Sequence, residues 1–356
     1  MKIKPKKIII AVGGLGHEFQ VSLSSGRYIF ENCPRDSYQP LILLLSPEGR
    51  ISLHFDLQAF SGEGNLLSLR DGWENHFSIY NLGEWDEMLR ANNINSQEIC
   101  GVFNIVHGKG GEDGLLTSFL RLQGIPYAGF DFRASQLCFD KHLSKLVWRD
   151  RGWDVLDYCV AYRDLGILDK DVFSLKYPLA AGWCVKPARE GSSVGVSMVF
   201  DQQQLNLALD NGFRYDSKLL IEPKLNKFRE LEVALIKIGD SWHTTRVGEI
   251  FNEERSHYDF DSKYGSDSTK TGLADLPENL SRRIRNLAVD VVRSLEGEGF
   301  ARVDFFLDGK QDVYINEVNS LPGFTAISMF PWLWKQEGLN GTALLEALFK
   351  EIKLRG

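Results

Sequence analysis

Short apolar runs alternate with amphipathic stretches through the first third of the chain. The runs at residues 7–12, 41–45 and 101–106 have the length of strands, and residues 21–31 predict a helix between the first two runs. A further helix is predicted at residues 112–123, where a glycine and a proline follow as stop signals. Strands that alternate with helices are typical of an α/β fold. We expect a first domain to close near residue 135.

The rest of the chain predicts smaller regions in which helices and strands are mixed. A helix at residues 140–151 precedes strands expected around residues 183–186 and 218–222. The segments that follow are predicted to be a polar loop, a helix, a hairpin and a closing helix, at residues 252–271, 280–297, 301–318 and 342–354.

Composition and charge narrow the classes of function. The chain has 356 residues, with 41 Lys and Arg against 48 Asp and Glu, and a formal net charge of −7. A protein that binds nucleic acid through phosphate charge usually carries a basic face, whereas only short clusters of mixed sign occur here. We therefore expect no nucleic-acid partner.

The apolar runs and the cysteines indicate the cellular setting. No apolar run approaches the length of a membrane-spanning helix, so we expect no membrane partner. The 5 cysteines are widely spaced and form no C-x-x-C pair, which predicts reduced thiols, not a disulfide framework or a zinc site. We expect a cytoplasmic protein.

A first glycine-rich segment, Gly13 to Gly16, follows a predicted strand and precedes a predicted helix. Backbone N–H groups and the helix dipole make such a position an anion site. The dinucleotide fingerprint would need a third glycine at position 19, which is Phe19. A tight strand-to-helix turn is the alternative interpretation.

A second glycine-rich segment, residues 190–195, follows Lys186 at the end of a predicted strand. The segment carries the hydroxyls of Ser192 and Ser193 and several free N–H groups, which can wrap phosphates. A lysine beside it can hold phosphate oxygens. A surface hairpin with an ordinary lysine is the alternative.

The strongest polar cluster lies in the predicted hairpin. Arg302 and Asp304 share a face of one strand, and Glu317 and Asn319 share a face of the other, because side chains alternate along a strand. An even-numbered loop, such as the four residues 308–311, would bring the three oxygen-bearing side chains together. Such oxygens suit magnesium that carries a nucleotide phosphate. A solvated hairpin face is the alternative.

Two polar loops complete the candidate site. Residues 320–328 follow the hairpin directly, and their N–H groups and hydroxyls could hold an oxyanion or a substrate carboxylate. The loop around residues 257–265 is long enough to be a lid, with a disordered loop as the alternative. No Ser-His-Asp order or nucleophile elbow favours a hydrolase. The residues alone thus indicate a magnesium-dependent α/β enzyme that uses a nucleotide.

Taken in order, these segments resemble the D-alanine–D-alanine ligase family of the ATP-grasp superfamily over nearly the whole chain. The matching segments are residues 13–18, 21–26, 107–114, 125–129, 139–141, 185–187, 190–195, 261–264, 302–304, 316–319 and 322–325. The resemblance implies an ATP-grasp fold with three parts. These are an N-terminal parallel-sheet α/β domain for the first D-alanine, a central α+β subdomain with the glycine-rich phosphate loop, and a C-terminal α+β subdomain with the lid and metal site, at residues 1–136, 137–224 and 225–356.

The resemblance also implies a reaction. ATP phosphorylates the carboxylate of a first D-alanine, and the amine of a second D-alanine attacks the acyl phosphate, which yields D-alanyl-D-alanine for peptidoglycan precursor synthesis, ADP and phosphate. The implied ATP contacts are Lys141, Lys186 and Ser193 at the phosphates, with Lys186 also near the adenine, Glu222 at the adenine amino group and Glu230 at the ribose hydroxyls. The implied ligands of two Mg²⁺ or Mn²⁺ ions are Asp304, Glu317 and Asn319.

The remaining implied roles concern the amino-acid substrates. Arg302 and the Gly323 N–H would stabilise the oxyanion of the tetrahedral intermediate. Glu18 would hold the ammonium of the first D-alanine, and His107 would lie near its carboxylate. The other implied positions are Ser328 at the carboxylate of the second D-alanine, Lys263 between that carboxylate and the terminal phosphate of ATP, and a triad of Glu18, Ser192 and Tyr264 that ties the lid shut.

Two departures and two alternatives accompany the resemblance. Gly16 stands where the family commonly has serine, and Cys138 and Phe139 precede Asp140 where a methionine is usual. Tyr264 is the form associated with D-alanine as second substrate. The alternatives are an ATP-grasp ligase with another acceptor, such as D-serine or D-lactate, and a non-catalytic nucleotide-binding regulator. The resemblance implies a homodimer formed through the first domain.

Overall fold

The computed structural model describes residues 5–55, 77–225, 227–252 and 269–353, and their strands form three sheets. The strands are β1 (Lys6–Gly13), β2 (Tyr38–Leu45), β3 (Arg50–His54), β4 (Phe77–Ser78), β5 (Ile99–Asn104), β6 (Cys159–Tyr162), β7 (Gly166–Ile167), β8 (Trp183–Pro187), β9 (Ser197–Val199), β10 (Lys218–Pro223), β11 (Phe228–Ile238), β12 (Ser241–Thr244), β13 (Gly248–Asn252), β14 (Thr269–Leu273), β15 (Phe300–Asp308) and β16 (Val313–Asn319).

The α-helices cover the faces of these sheets. Within the described ranges they are α1 (Phe19–Glu31), α2 (Glu84–Ala91), α3 (Leu115–Leu122), α4 (Phe132–Phe139), α5 (Lys141–Asp150), α6 (Lys170–Lys176), α7 (Gln202–Gly212), α8 (Glu278–Ser294), α9 (Met329–Gln336) and α10 (Gly341–Lys350).

The first sheet has the order β4-β3-β2-β1-β5, and β1 runs parallel to both β2 and β5. Both of its faces are covered, which explains why β1 and β2 are nearly continuous apolar runs: Ile9 and its parallel neighbour Leu41 are both 0% exposed. The carboxyl ends of β1 and β5 lie side by side. The Gly13–Gly16 turn and the turn at residues 107–111 therefore start at the same edge of the sheet, where α/β proteins bind ligands.

The second sheet is antiparallel and has the order β7-β6-β10-β8-β9. Strands β8 and β10 are neighbours in it, with Lys186 paired to Leu220 and Cys184 paired to Glu222. Because opposed residues point the same way and side chains alternate, Lys186 and Glu222 lie on one face of this sheet.

The third sheet has the order β14-β13-β11-β15-β16, and β12 also pairs with β11. Helix α8 packs against β11 and β15 and buries Ile284 and Val291 among the apolar side chains of that face. The other face of β15 and β16 carries the predicted polar cluster, as the alternation of these strands requires.

The first and third sheets share one hydrophobic core. The ring of Phe103 on β5 stacks on that of Phe300 on β15, with centroids 5.2 Å apart, and Phe324 and Phe349 contact Phe103 edge-on. Stacked and edge-to-face aromatic pairs stabilise contacts beyond the area they bury. This core fixes the turn that follows β16 against the end of β5.

The predicted fold class is confirmed: an N-terminal α/β region with a parallel core is followed by two regions that combine helices with antiparallel sheets. The first and last residues of some elements differ from those expected. The segment predicted as a polar loop at residues 252–271 overlaps strands at both ends, because β13 extends to Asn252 and β14 begins at Thr269. Helix α3 begins at Leu115, not at residue 112, because Gly114 has φ +80° and the Asp113 side chain accepts the Leu115 N–H.

The described residues contain neither a membrane-spanning helix nor a disulfide bond. No helix among them is both long and apolar enough to cross a membrane. Every cysteine of the chain is a free thiol in the structure, and Cys33, Cys138 and Cys159 are buried.

Candidate active site

Strands β15 and β16 bring the predicted polar cluster together. Arg302 pairs with Asn319 and Asp304 pairs with Glu317 in the antiparallel register. Side chains on opposed residues point to the same face, so all of them line one surface, while Val303 on the opposite face is fully buried. The strand pairing therefore confirms the prediction that these side chains lie together on one face of the hairpin.

The loop of this hairpin differs from the four-residue loop expected at residues 308–311. The Asp308 N–H donates to the carbonyl of Asp312 at 3.1 Å, so the loop consists of residues 309–311. An odd-numbered loop by itself reverses the parity of the pairing, and that would turn Glu317 to the apolar face.

A bulge in β16 restores the parity. The register shifts just after Asp304, which leaves Asn316 as the extra residue of β16. The shift coincides with a second partner for this strand, because the Ile315 N–H donates to the carbonyl of Asp154 at 2.9 Å. The bulge is therefore what places Glu317 opposite Asp304.

Arg302 is held by carboxylates on two strands. Its Nε and Nη2 donate to Asp304 Oδ1 and Oδ2, each at 2.7 Å, and its Nε lies 3.2 Å from Glu232 Oε2 on β11. Burial would lower the pKa of the guanidinium, but the charges of Asp304 and Glu232 raise this pKa well above its ordinary value. Arg302 is thus a permanently charged, fixed cation.

The carboxylate side chains of this face are the candidates for metal binding. Asp304 Oδ2 also accepts from Asn319 Nδ2 at 3.0 Å, and Glu317 Oε2 lies 3.5 Å from Lys141 Nζ. Among the described residues no group of three His, Cys, Asp or Glu converges as a metal site. The predicted set instead pairs two carboxylates with an amide oxygen, and this hard donor set fits a divalent cation that keeps several waters.

Lys141 connects the polar face to the glycine-rich loop at residues 190–195. Its ammonium donates to the carbonyl of Glu190 at 2.5 Å and faces Glu317 at 3.5 Å. Lys141 is the first residue of α5, whose N-terminus is capped by Asp140. The predicted phosphate loop and the predicted metal face are therefore parts of one site.

The glycine-rich loop has a backbone that favours close approach. Ser192 and Ser193 have φ of +49° and +61°, in the left-handed region that non-glycine residues rarely adopt. The Ser192 hydroxyl donates to Glu18 Oε1. Glu18 is 9% exposed and immediately precedes α1, so two members of the predicted triad are in contact.

Two glycines make room for the Glu18 carboxylate. A Cβ at Gly191 would lie 2.7 Å from Glu18 Oε2, and a Cβ at Gly108 would lie 2.8 Å from the same atom. Glu18 is thus enclosed between the glycine-rich loop and the turn that follows β5. Tyr264 and Lys263, predicted for the lid, lie outside the described residues.

Lys186 and Glu222 form an ion pair on the second sheet. Lys186 Nζ lies 2.7 Å from Glu222 Oε2, and the fully buried Lys145 Nζ lies 2.8 Å from Glu222 Oε1. Burial would raise the pKa of Glu222, but Lys145 and Lys186 lower it to about 2. Glu222 is therefore an ionised acceptor at neutral pH.

The predicted ribose contact lies on the third sheet. Glu230 is a partly buried residue of β11, two positions before Glu232, and shares its face. Glu232 pairs in register with Asp304. Glu230 therefore lies on the same sheet face as the polar cluster.

His107 and the turn at residues 321–324 are joined by hydrogen bonds. His107 Nδ1 lies 2.9 Å from the carbonyl of Leu321, and its Nε2 lies 3.0 Å from Ser25 Oγ on α1. The Phe324 N–H donates to Ser25 Oγ at 3.1 Å. Burial lowers the pKa of His107 to about 4, so the imidazole is neutral near pH 7.

Gly323 and Ser328 are neighbours in the loop that follows β16. A Cβ at Gly323 would lie 3.0 Å from Ser328 Oγ, and this oxygen accepts the Thr325 N–H at 3.0 Å. Ser328 immediately precedes α9. The two predicted substrate contacts are therefore adjacent.

The sequence interpretation missed several members of the site. Glu232 and Lys145 both hold predicted residues in place, and the spacing of Lys141 and Lys145 at i and i+4 on one helix is a signal that could have found the second lysine. Glu112 was also missed. Burial and the nearby Glu18 raise the pKa of Glu112 well above its usual value.

Comparisons with known proteins agree with one another. The protein-family model of the D-ala D-ala ligase C-terminus matches residues 147–350, and the family model of the D-ala D-ala ligase N-terminus matches residues 7–130. The chain is 36% identical to a D-alanine–D-alanine ligase of Acetivibrio thermocellus, over 96% of this chain and 94% of that protein. It is 34% identical to a D-alanine–D-alanine ligase A of Chromobacterium violaceum, over 97% and 94%.

Solved structures give the same result. The D-alanine–D-alanine ligase of Coxiella burnetii superposes with a TM-score of 0.78 at 26% identity, over 97% of this chain and 94% of that one. VanG, a D-Ala:D-Ser ligase of Enterococcus faecalis, superposes with a TM-score of 0.77 at 28% identity, over 97% and 99%.

Proposed function

The chain belongs to the D-alanine–D-alanine ligase family, and we propose that it joins two D-alanine molecules to D-alanyl-D-alanine, with ATP converted to ADP and phosphate, for peptidoglycan precursor synthesis. The observation that carries the proposal is the position of Lys141, which contacts the glycine-rich loop at Glu190 and the acidic face at Glu317. The glycine-rich loop and the acidic face thus meet at one lysine, and this arrangement supports a site for phosphoryl transfer.

The ATP molecule would lie between the second and third sheets. Lys141, Lys186 and Ser193 would contact its phosphates. The ionised Glu222 carboxylate is suited to accept from the adenine amino group, and Glu230 from the ribose hydroxyls. Lys263 would reach the terminal phosphate.

Family membership implies a divalent metal together with ATP. Asp304, Glu317 and Asn319 would hold two Mg²⁺ or Mn²⁺ ions. The metal would neutralise the oxygens of the transferring phosphoryl group.

In the first half of the reaction, a carboxylate oxygen of the first D-alanine forms a bond to the terminal phosphorus of ATP, and the bond from this phosphorus to ADP breaks. Glu18 would hold the ammonium of this substrate, and its enclosure by Gly108 and Gly191 fixes where the charge lies. His107 would lie near the substrate carboxylate. The positioning of both partners, more than covalent chemistry by the protein, then accelerates the transfer.

In the second half, the amine of the second D-alanine attacks the carbonyl carbon of the acyl phosphate, loses a proton, and expels phosphate. The negative charge on the carbonyl oxygen would be stabilised by Arg302 and by the Gly323 N–H. Ser328 would bind the carboxylate of the second D-alanine. The contact of Ser192 with Glu18 would extend to Tyr264 when the lid closes.

The test is product analysis with purified protein, ATP and magnesium. D-Alanine alone should yield ADP and D-alanyl-D-alanine in equal amounts, and L-alanine should yield neither. The likeness to a D-Ala:D-Ser ligase makes D-serine the first alternative acceptor to test, followed by D-lactate. A mixed product formed in preference to D-alanyl-D-alanine would overturn the acceptor assignment, and no ADP with any acceptor would overturn the ligase assignment.

We further propose that the protein works in the cytoplasm as a homodimer formed through the first domain. Size-exclusion chromatography with light scattering tests the oligomeric state, and a monomer at micromolar concentration would contradict it.

A further inference from the structure

The turn at residues 321–324, which contains Gly323, is tied at both ends to the N-terminal sheet and its helix. At one end the Leu321 carbonyl meets His107 Nδ1 at 2.9 Å, and at the other end the Phe324 N–H meets Ser25 Oγ at 3.1 Å. Ser25 Oγ and His107 Nε2 are 3.0 Å apart. Three hydrogen bonds therefore close a ring through three distant segments of the chain.

The chemistry of the partners fixes every proton in this ring. A carbonyl only accepts, so His107 carries its proton on Nδ1 and donates it to Leu321. Its Nε2 is then an acceptor, and the Ser25 hydroxyl must donate to it. The Ser25 oxygen is left to accept the Phe324 N–H. Each group is satisfied in one direction only, so the ring needs a hydroxyl group at position 25 and a neutral histidine at position 107.

Burial makes these bonds costly to lose. Ser25 is 0% exposed and His107 is 4% exposed, so water cannot replace a missing partner. Both ring nitrogens of His107 are already occupied by protein atoms. The imidazole therefore contributes to the site through the turn that it holds, and not by donating a hydrogen bond to a substrate.

We propose that Ser25 is a positioning residue which, together with His107, holds the turn at residues 321–324 so that the Gly323 N–H is aimed at the reacting carbonyl group. This inference rests on the proposed function, because only that function gives the Gly323 N–H an oxyanion to bind. The residue acts through the backbone of the turn and touches no substrate.

The position of Ser25 on α1 links the turn to the first substrate. Glu18, which would hold the first D-alanine, precedes Ser25 by seven residues, and positions i and i+7 lie on one face of a helix. At about 1.5 Å per residue the two are separated by about 10 Å along the helix. One rigid element therefore sets both the position of the first substrate and the position of the oxyanion donor.

The test is the variant Ser25→Ala, assayed for ADP and dipeptide separately. Without the serine oxygen the Phe324 N–H loses its acceptor, and the amine attack that needs the Gly323 N–H should slow by about 10- to 100-fold. This is less than the roughly 100- to 1,000-fold cost of losing an oxyanion donor outright, because the Gly323 N–H is misplaced and not removed. The phosphoryl transfer that precedes it should slow less. Acyl phosphate will then be lost to water, and the ratio of ADP to dipeptide should rise above the wild-type value of one, while the KM for ATP stays within about twofold.

Ser22→Ala is the matched control. Ser22 is also fully buried on α1 and also makes two hydrogen bonds, from the Gly13 N–H at 2.9 Å and to the Ile105 carbonyl at 2.7 Å, but it does not contact the turn. It should lower the melting temperature about as much as Ser25→Ala and leave the ratio of ADP to dipeptide at one. Ser25→Cys, which keeps a weak donor and acceptor, should recover part of the coupling.

The outcomes separate this inference from the proposed function. A Ser25→Ala protein with the wild-type dipeptide rate and a ratio of one overturns the positioning role. Equal changes in Ser25→Ala and Ser22→Ala on both readouts also overturn it, because they indicate helix packing alone. Wild-type protein that makes no dipeptide overturns the proposed function itself, and the positioning role with it.

Discussion

The guanidinium of Arg302 makes a two-bond contact with Asp304, with Nε–Oδ1 and Nη2–Oδ2 distances of 2.7 Å each. Residues two apart on a strand share a face, and here the two side chains meet along one face of β15. The pairing holds the cation in one orientation beside the acidic face. In the proposed reaction, its charge would therefore be available to a developing oxyanion without reorganisation.

The first prediction concerns that geometry. Arg302→Lys keeps the positive charge but cannot make both bonds, since an ammonium has no planar fork. We expect kcat to fall about 100-fold or more, the range observed when one oxyanion donor is removed, with the KM for ATP close to that of the wild type. Steady-state measurement of ADP release checks this.

Arg229→Lys is the control for Arg302→Lys. Arg229 makes the same kind of pair with Glu249, at 2.8 and 2.5 Å, but it lies on the other face of its strand from Glu230. Its kcat should stay within about twofold of the wild type. Equal losses in the two variants would contradict the role given to Arg302.

The second prediction concerns the metal. Glu317→Gln keeps the size of the side chain and removes its charge, so activity should fall at least about 100-fold, beyond the 10- to 100-fold cost typical of groups that only support metal ligands. Excess EDTA should abolish wild-type activity. Titration of ADP release with magnesium provides the measurement, and half-saturation should need more metal in the variant.

Asp312→Asn removes a charge from the same hairpin, at an exposed position. It should leave both the rate and the magnesium dependence unchanged. A Glu317→Gln protein that matches Asp312→Asn would refute the assignment of Glu317.

The third prediction concerns the pocket of Glu18. In Gly191→Ala the new methyl group would lie 2.7 Å from Glu18 Oε2 and displace this carboxylate. A shift of about 1 Å can cost about 100-fold in rate. We therefore expect kcat/KM for D-alanine to fall by about that factor, measured with ATP at saturation.

Gly309→Ala is its control, because a Cβ at Gly309 meets no atom within 4 Å. That variant should match the wild type. Unchanged kinetics in Gly191→Ala would show that Glu18 need not stay where it is.

The fourth prediction is a pH dependence of stability. Glu222 has its pKa lowered from 4.5 to about 2 in the folded protein, so its ionised form stabilises the fold above pH 4.5. That contribution, about 3 kcal/mol at 1.36 kcal/mol per pKa unit, is lost as the pH falls from 4.5 towards 2. The difference in free energy of unfolding between wild type and Glu222→Gln should shrink over this interval, as measured by denaturant titration. A constant difference would contradict it.

The fifth prediction concerns Lys145. It is 0% exposed and lies 2.8 Å from Glu222, and breaking a buried ion pair costs about 3–5 kcal/mol. Lys145→Met should lower the free energy of unfolding by an amount near the lower end of this range, as measured in urea, because Lys186 still faces the Glu222 carboxylate. Lys350→Met removes an exposed i,i+4 pair with Glu346 and should cost less than about 0.5 kcal/mol. Equal losses of unfolding free energy in Lys145→Met and Lys350→Met would show that the buried ion pair stabilises the fold no more than the exposed one.

The hairpin shows how far a sequence can predict a site and where it stops. Alternation along two strands correctly placed Asp304 and Glu317 on one face, because the apolar residues between them must be buried. The predicted loop length was wrong. Glu317 still lies on the same face as Asp304 only because the bulge at Asn316 offsets the odd number of loop residues. No local signal marks that bulge, which coincides with a hydrogen bond from Ile315 to Asp154, far away in the chain.

Glu232 and Ser25 could not be predicted for the same reason. Glu232 looks like any carboxylate in an alternating strand until β11 pairs with β15, and Ser25 looks like any small residue of a helix until the turn after β16 docks on it. Both interactions depend on the packing of sheets that are distant in sequence. Local sequence patterns identify the candidate reactive side chains, whereas the side chains that orient them are recognised only in the tertiary structure.

The central claim is that ATP activates the carboxylate of D-alanine in this site. The most direct measurement uses D-alanine labelled with ¹⁸O in both carboxylate oxygens, with mass analysis of the phosphate released as the dipeptide forms. Attack of the carboxylate on the terminal phosphorus predicts one ¹⁸O in each phosphate and one retained in the peptide carbonyl. Dipeptide formed with unlabelled phosphate, or with the label in AMP, would contradict the account.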